Sequence, residues 1–212
     1  MKVFTDRRDA GKILSHELGK FKNEDAIILA VPRGGLVTSY DSIKKYDFPW
    51  DLIISRKIGA PRNKEVAIGA VSADGSYFTN EKYVKLLGIS QSYIDKQVSS
   101  ETREIKRRLK QYRGSEAFPD VKNKTVIIVD DGIATGFTIL ASIKSVKNQG
   151  ASKTVLAVPV GPLETIEEFK GIVDEVICPY VPEEFYAVGE YYEDFDQVSD
   201  EEVFDIIKEL KN

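Results

Sequence analysis

Five short apolar runs recur along this chain: Ala26–Val31 (AIILAV), Asp51–Ser55 (DLIIS), Thr125–Val129 (TVIIV), Thr154–Val158 (TVLAV) and Asp174–Cys178 (DEVIC). Each is too short for a buried helix, and none alternates polar with apolar residues. Such runs read as strands buried on both faces. Strands of this kind, joined through helical segments, run parallel, and a parallel sheet needs helices on both sides. The expected fold is therefore α/β, an open parallel sheet of about five strands flanked by helices.

The connecting segments carry helix signals. Asp6 can cap a helix reaching about Phe21, because its carboxylate can accept from the free N–H groups of the first turn. Pro32-Arg33-Gly34-Gly35 breaks the first run, and a helix follows over about Leu36–Lys45. Another spans about Phe137–Asn148 and is closed by Gly150. Gly161-Pro162 opens one that ends near Lys170, and Ser199 with Glu202 forms a capping box for the last. Arg56–Lys64 reads as a polar loop. Glu65–Val71 and Tyr77–Thr79 read as a strand pair around Ala73-Asp74-Gly75. Residues 80–115 form a helical insertion in which Ile94, Val98, Thr102, Ile105, Leu109 and Tyr112 make one apolar stripe. Pro179–Gln197 is acidic, rich in tyrosine and irregular. With 212 residues, the chain suits a single domain over 1–212.

Several function classes are disfavoured. A net charge of -4 argues against DNA as a partner. The insertion's basic residues, Arg103, Lys106, Arg107, Arg108, Lys110 and Arg113, read as the solvated face of an amphipathic helix, so RNA is not expected either. Cys178 is the only cysteine, which excludes an intrachain disulfide and a cysteine-based zinc site. His16, the only histidine, reads as an exposed helix residue, which leaves no histidine triad. No apolar segment suits a signal peptide or a membrane span, so the cytoplasm is the expected location.

In a parallel sheet, ligands bind beyond the carboxyl ends of the strands. Val126–Thr138, VIIVDDGIATGFT, lies there: a buried strand, two carboxylates, a loop of small residues, and a helix start. A helix start offers unpaired N–H groups and partial positive charge. Gly136 permits close backbone approach, and the Thr135 and Thr138 hydroxyls add donors. Asp130 and Asp131 repel phosphate but can accept hydrogen bonds from two neighbouring hydroxyls. Phosphate donors beside a diol-binding acid pair describe a cradle for a ribose 5-phosphate. A Walker A loop is excluded, because no lysine follows Gly136.

This segment resembles the 5-phosphoribosyl-1-pyrophosphate (PRPP) signature of type I phosphoribosyltransferases. The layout VPRGG, RKIGAP, GAV and VDDGIATG is similar to that of a group of uncharacterised prokaryotic phosphoribosyltransferase-like proteins. The resemblance implies the type I phosphoribosyltransferase fold with a C-terminal hood at 179–197. It implies that Asp130 and Asp131 hold the ribose 3′ and 2′ hydroxyls and act in catalysis. Ala134, Thr135, Gly136, Phe137 and Thr138 would hold the 5-phosphate. Arg33, Gly34 and Gly35 resemble the pyrophosphate loop, with a cis peptide implied between Pro32 and Arg33. Arg56 and Lys57 read either as solvated loop charges or as cations that clamp the leaving group beside Arg33. In the hood, Phe185 or Tyr186 would stack on a base and the Ala187 and Val188 backbone would read its edges, with Glu193 or Asp194 accepting from an amine. One residue departs from the 6-oxopurine pattern: Ala134 stands where those enzymes carry an aspartate, so adenine, xanthine, a pyrimidine or no free base at all remain open.

The implied activity is transfer of the phosphoribosyl group of PRPP to a nitrogen acceptor, a nucleobase, with release of pyrophosphate. Mg²⁺ is expected with PRPP, and Asp130 and Asp131 are its possible protein contacts. A homodimer is expected. The alternative from another class is a PRPP-sensing regulator on the same fold, one that could bind RNA through the basic insertion.

Overall fold

The computed structural model describes residues 2–64 and 66–211. In chain order the elements are α1 (Arg7–Leu18), β1 (Ala26–Ala30), α2 (Gly34–Tyr46), β2 (Trp50–Leu52), β3 (Ser55–Gly59), β4 (Ala67–Ser72), β5 (Tyr77–Thr79), α3 (Glu81–Leu86), α4 (Gln91–Arg113), β6 (Thr125–Val129), α5 (Phe137–Asn148), β7 (Lys153–Ala157), α6 (Leu163–Lys170), β8 (Glu175–Ile177) and α7 (Asp200–Lys211). They divide into two compact units. The first holds Met1–Leu52, Val121–Thr135 and Gly150–Asn212, and the second Ile53–Asp120 and Gly136–Gln149.

The first unit is built on a parallel sheet of five strands in the order β2-β1-β6-β7-β8. The register aligns the carboxyl ends: Leu52, Ala30, Val129, Ala157 and Ile177 lie in one row across the sheet. β1 and β6 are buried throughout, as unalternating apolar runs require. One core joins Leu14 and Leu18 of α1 and Phe21 to Ile28, Ile127, Val129 and Val155 of the sheet. Asp6 caps α1 through its bond from the Asp9 N–H (2.7 Å). The capping box at α7 is complete: Glu202 N–H donates to Ser199 Oγ (3.1 Å), and Ser199 N–H donates to Glu202 Oε2 (2.7 Å).

The second unit contains an antiparallel sheet, β3-β4-β5, with α3, α4 and α5. Within it Ser55 and Ser142 share a hydroxyl–hydroxyl bond (2.8 Å), and Tyr93 OH donates to Gly59 O (2.8 Å). Phe78 meets Phe137 edge to face. The α4 stripe is buried at Ile94, Ile105, Leu109 and Tyr112. On its other face Arg107 and Arg108 both bond Glu104, and hold that carboxyl down at about 2.

Three expected boundaries change. The second apolar run is a strand only over Trp50–Leu52. The polar loop at Arg56–Lys64 begins instead as β3, a strand in the second unit's sheet. Arg56 and Lys57 carry no β signal of their own, but antiparallel pairing with β4 (Arg56↔Val71, Lys57↔Ala70) draws them into the edge strand. The β4–β5 pair forms around the expected turn, with β4 over Ala67–Ser72 where Glu65–Val71 was expected; Glu65 lies outside the described residues. Finally, α2 begins at Gly34 rather than near Leu36, so both glycines lie in the helix and not in a turn before it. Among the described residues no helix is long and apolar enough to cross a membrane.

Candidate active site at the carboxyl ends of β1 and β6

The strand order reverses at β1 and β6. β2 lies to one side, and β7 and β8 lie to the other. A reversal of this kind opens a crevice beyond the carboxyl ends of the two strands. The loops leaving those ends are 31–33, which carries Arg33 and leads into the Gly34-Gly35 start of α2, and 130–136, which carries the two acids. Val31 N–H donates to Val129 O (2.8 Å), which holds the loop bases side by side.

The acid pair is half-buried. Asp131 N–H donates to Asp130 Oδ1 (2.9 Å), which turns that carboxylate back over the strand end. Asp131 Oδ2 accepts from Arg7 Nε (2.6 Å), and the two side chains are only 16% and 12% exposed. Arg7 Nη1 donates to Asp196 O (2.8 Å), and its guanidinium lies 3.8 Å from the Phe195 ring centroid. Tyr192 OH donates to the Asp131 backbone carbonyl (2.6 Å).

Gly34 and Gly35 are required by this crowding. A Cβ on Gly34 would overlap the Asp131 carboxylate and sit 3.0 Å from Arg7 Nε. A Cβ on Gly35 would strike the carbonyl of Val129 and come within 2.9 Å of Asp130 Cα. The helix tolerates two glycines at its start because nothing larger clears the end of β6.

Burial, and next the charge of Asp131, push the Asp130 carboxyl well above the usual carboxylate range. Burial also raises Asp131, against the opposing bond and charge of Arg7. The sign of the pH effect follows. A carboxyl with a raised folded pKa holds its proton more tightly in the native state. Its contribution to stability is full below the unfolded value of about 3.9 and is lost as pH rises through the folded pKa. Asp130→Asn should therefore be more stable than the parent chain at about pH 8, and should lose that advantage below about pH 4. Urea unfolding midpoints at the two pH values check this.

Beyond the acids, Ala134 and Thr135 are exposed, so the turn is open to solvent. Thr165 Oγ1 in α6 donates to Ala134 O (2.7 Å), and Ile133 N–H donates to Val160 O (2.9 Å), which fixes the turn from behind. The chain passes from the first unit into the second between Thr135 and Gly136. Gly136 adopts φ 68°, which favours glycine, and precedes α5 with no side-chain cap. The N–H groups at Phe137 and Thr138 thus begin a helix whose end no side chain closes.

The Pro32–Arg33 peptide is cis. Gly35 N–H donates to Val31 O (2.9 Å), and Arg33 makes a long ion pair with Asp200 (3.7 Å). In the second unit Arg56 is bonded by Glu101, and Lys57 is exposed. In the hood, Phe185 is stacked on Tyr191 (5.5 Å between ring centroids), Tyr186 is 76% exposed, and Val188 packs where a Cβ on Gly132 would overlap it. The hood is tied to the amino-terminal segment: Glu193 N–H donates to Phe4 O, and Asp194 N–H to Thr5 O (both 2.9 Å).

The sequence reading did not find Arg7, Tyr192 or Thr165. Arg7 is separated from Asp131 by 124 positions, and no local pattern announces such a pair. Among the described residues no group of three or more acidic, histidine or cysteine side chains could hold a metal ion.

The sheet order, the acid turn at its reversal point and the hood define a type I phosphoribosyltransferase fold. A family model described as a phosphoribosyl transferase domain matches residues 6–195. The chain belongs to this family. A protein of Mycobacterium tuberculosis strain H37Rv, provisionally named a phosphoribosyl transferase, is 37% identical over 204 residues, which is 96% of this chain and 46% of that protein. The chain thus spans about half the length of the curated relatives it matches. The crystal structure of TT1426 from Thermus thermophilus is similar over 99% of both chains, with 35% identity and a TM-score of 0.82. A purine phosphoribosyltransferase from Pyrococcus horikoshii Ot3 shares the fold at 20% identity and a TM-score of 0.50, over 93% of this chain and 98% of that one.

Proposed function

We propose that this chain transfers the 5-phosphoribosyl group of PRPP to a nitrogen acceptor of the nucleobase class. The observation that carries this reading is the half-buried Asp130–Asp131 pair at the reversal point, followed at once by an exposed turn and an uncapped helix start. Asp130 and Asp131 would accept from the two ribose hydroxyls, and the backbone of Ala134–Thr138 would donate to the 5-phosphate.

Arg33 and the Gly34 N–H would meet the pyrophosphate, since the Gly35 N–H is engaged by Val31. Lys57, exposed on β3, is the second cation proposed for the pyrophosphate. In the reaction the C1–O bond breaks, pyrophosphate leaves with its electron pair, and the acceptor nitrogen forms the new C1–N bond. Catalysis would come from positioning and from fixed charge facing the departing anion. Mg²⁺ would supply positive charge to neutralise that anion, with Asp130 or Asp131 as its protein contacts; among the described residues no group of three or more acids, histidines or cysteines forms a fuller cage. For the acceptor, the exposed Tyr186 ring offers a stacking surface, whereas Phe185 already has Tyr191 on one face.

The test is release of pyrophosphate from PRPP and Mg²⁺ across a panel of purine and pyrimidine bases. Acceptor-dependent release supports the reading. Its absence with every base, from the folded chain, would sink it.

A further inference from the structure

Asp131 is held by a residue that no motif contains. Arg7 is the first residue of α1, and the start of that helix is fixed by Asp6, whose carboxylate accepts from the Asp9 N–H. From there its guanidinium makes three contacts at once: Nε on Asp131 Oδ2 (2.6 Å), Nη1 on Asp196 O (2.8 Å), and a face on Phe195. Phe195 is itself packed on Tyr192 (4.8 Å between centroids), whose hydroxyl bonds the Asp131 carbonyl. Carboxylate and backbone of Asp131 are therefore gripped from the same side. A planar fork, stacked on a ring and bonded at two nitrogens, has few other places to go.

We propose that Arg7 is a positioning residue for sugar recognition: it occupies Asp131 Oδ2, keeps that carboxylate in one orientation, and so presents Oδ1 to the ribose 2′ hydroxyl. This rests on the reading that the acid pair receives the sugar's hydroxyls. It adds that discrimination between ribose and 2-deoxyribose depends on a side chain that never touches the ligand. A charge-assisted hydrogen bond to a well-oriented carboxylate is worth about 1.5–3 kcal/mol, so its loss corresponds to about tenfold or more in affinity.

The experiment measures binding of ribose 5-phosphate and of 2-deoxyribose 5-phosphate to the whole chain by calorimetry, for the parent, Arg7→Met and Arg7→Lys. The parent should prefer ribose 5-phosphate. Arg7→Met should weaken ribose 5-phosphate about tenfold and 2-deoxyribose 5-phosphate by less than about twofold, so the preference collapses. Arg7→Lys, which restores charge but not the fork, should recover part of it. Equal weakening of both sugars, or a preference retained in Arg7→Met, overturns the inference while leaving the diol reading intact. A parent with no preference overturns the diol reading and this inference with it. Should Arg7→Met fail to fold, Phe195→Leu serves instead. Loosening the guanidinium's platform should cause the same selective loss at about threefold, and a uniform loss counts against the proposal.

Discussion

Gly35→Ala is expected to abolish measurable PRPP binding and to lower stability by about 1 kcal/mol. The new methyl would point into the carbonyl of Val129 and lie 2.9 Å from Asp130 Cα. Both are backbone at the end of a strand paired on either side, β1 on one edge and β7 on the other, so neither can yield without shifting the sheet. Overpacking of this kind costs about 1–3 kcal/mol. Alanine's higher helix propensity returns at most about 1 kcal/mol, so the steric effect wins. The functional loss is larger than the stability loss, because the displaced atoms carry the acid pair. A shift of about 1 Å would take the carboxylates out of good hydrogen-bond geometry with a bound sugar's hydroxyls. Gly69→Ala is the matched control. Its methyl would strike the Phe78 carbonyl where β4 pairs with β5, which costs stability without pressing on Val129 or Asp130. Urea unfolding and calorimetric titration with PRPP, run on both variants, separate the two effects.

Asp131→Asn is expected to weaken PRPP binding about 10–100-fold without destabilising the chain. The amide keeps the shape and one acceptor oxygen, so Arg7 retains a partner, although a neutral one. With that oxygen on Arg7, an amide NH2 would replace the charged acceptor proposed to meet the sugar, a loss worth about 1.5–3 kcal/mol. Stability should hold because burial already penalises the ionised form of this carboxyl. The amide removes that penalty as it removes the charge. The loss should fall mainly on KM for PRPP, since the hydroxyl contacts exist before and during bond breaking. Steady-state kinetics beside a thermal melt checks both halves of the claim.

The parts of this molecule visible in its sequence are those whose physics is local. A buried strand writes itself as an unbroken apolar run, and Thr125–Val129 is a strand over those same residues. The two acids, the small-residue turn and the helix start sit within nine positions of one another, so Asp130–Thr138 could be read as a unit. Two kinds of feature were out of reach. β3 is a strand because β4 pairs with it, and no property of Arg56-Lys57 encodes that partner. Arg7, Tyr192 and Thr165 reach the acid turn from distant parts of the chain. The helical state of Gly34 and Gly35 was hidden for a related reason. Glycine disfavours helices, and only the closeness of Val129 and Asp131 explains why these positions accept nothing else.

The measurement that bears most directly on the central claim is a crystal structure of this chain with ribose 5-phosphate. The account predicts the phosphate on the backbone of Ala134–Thr138, with the sugar's neighbouring hydroxyls within about 3 Å of the Asp130 and Asp131 carboxylates. A sugar bound elsewhere, or one whose hydroxyls face away from both acids, would contradict it.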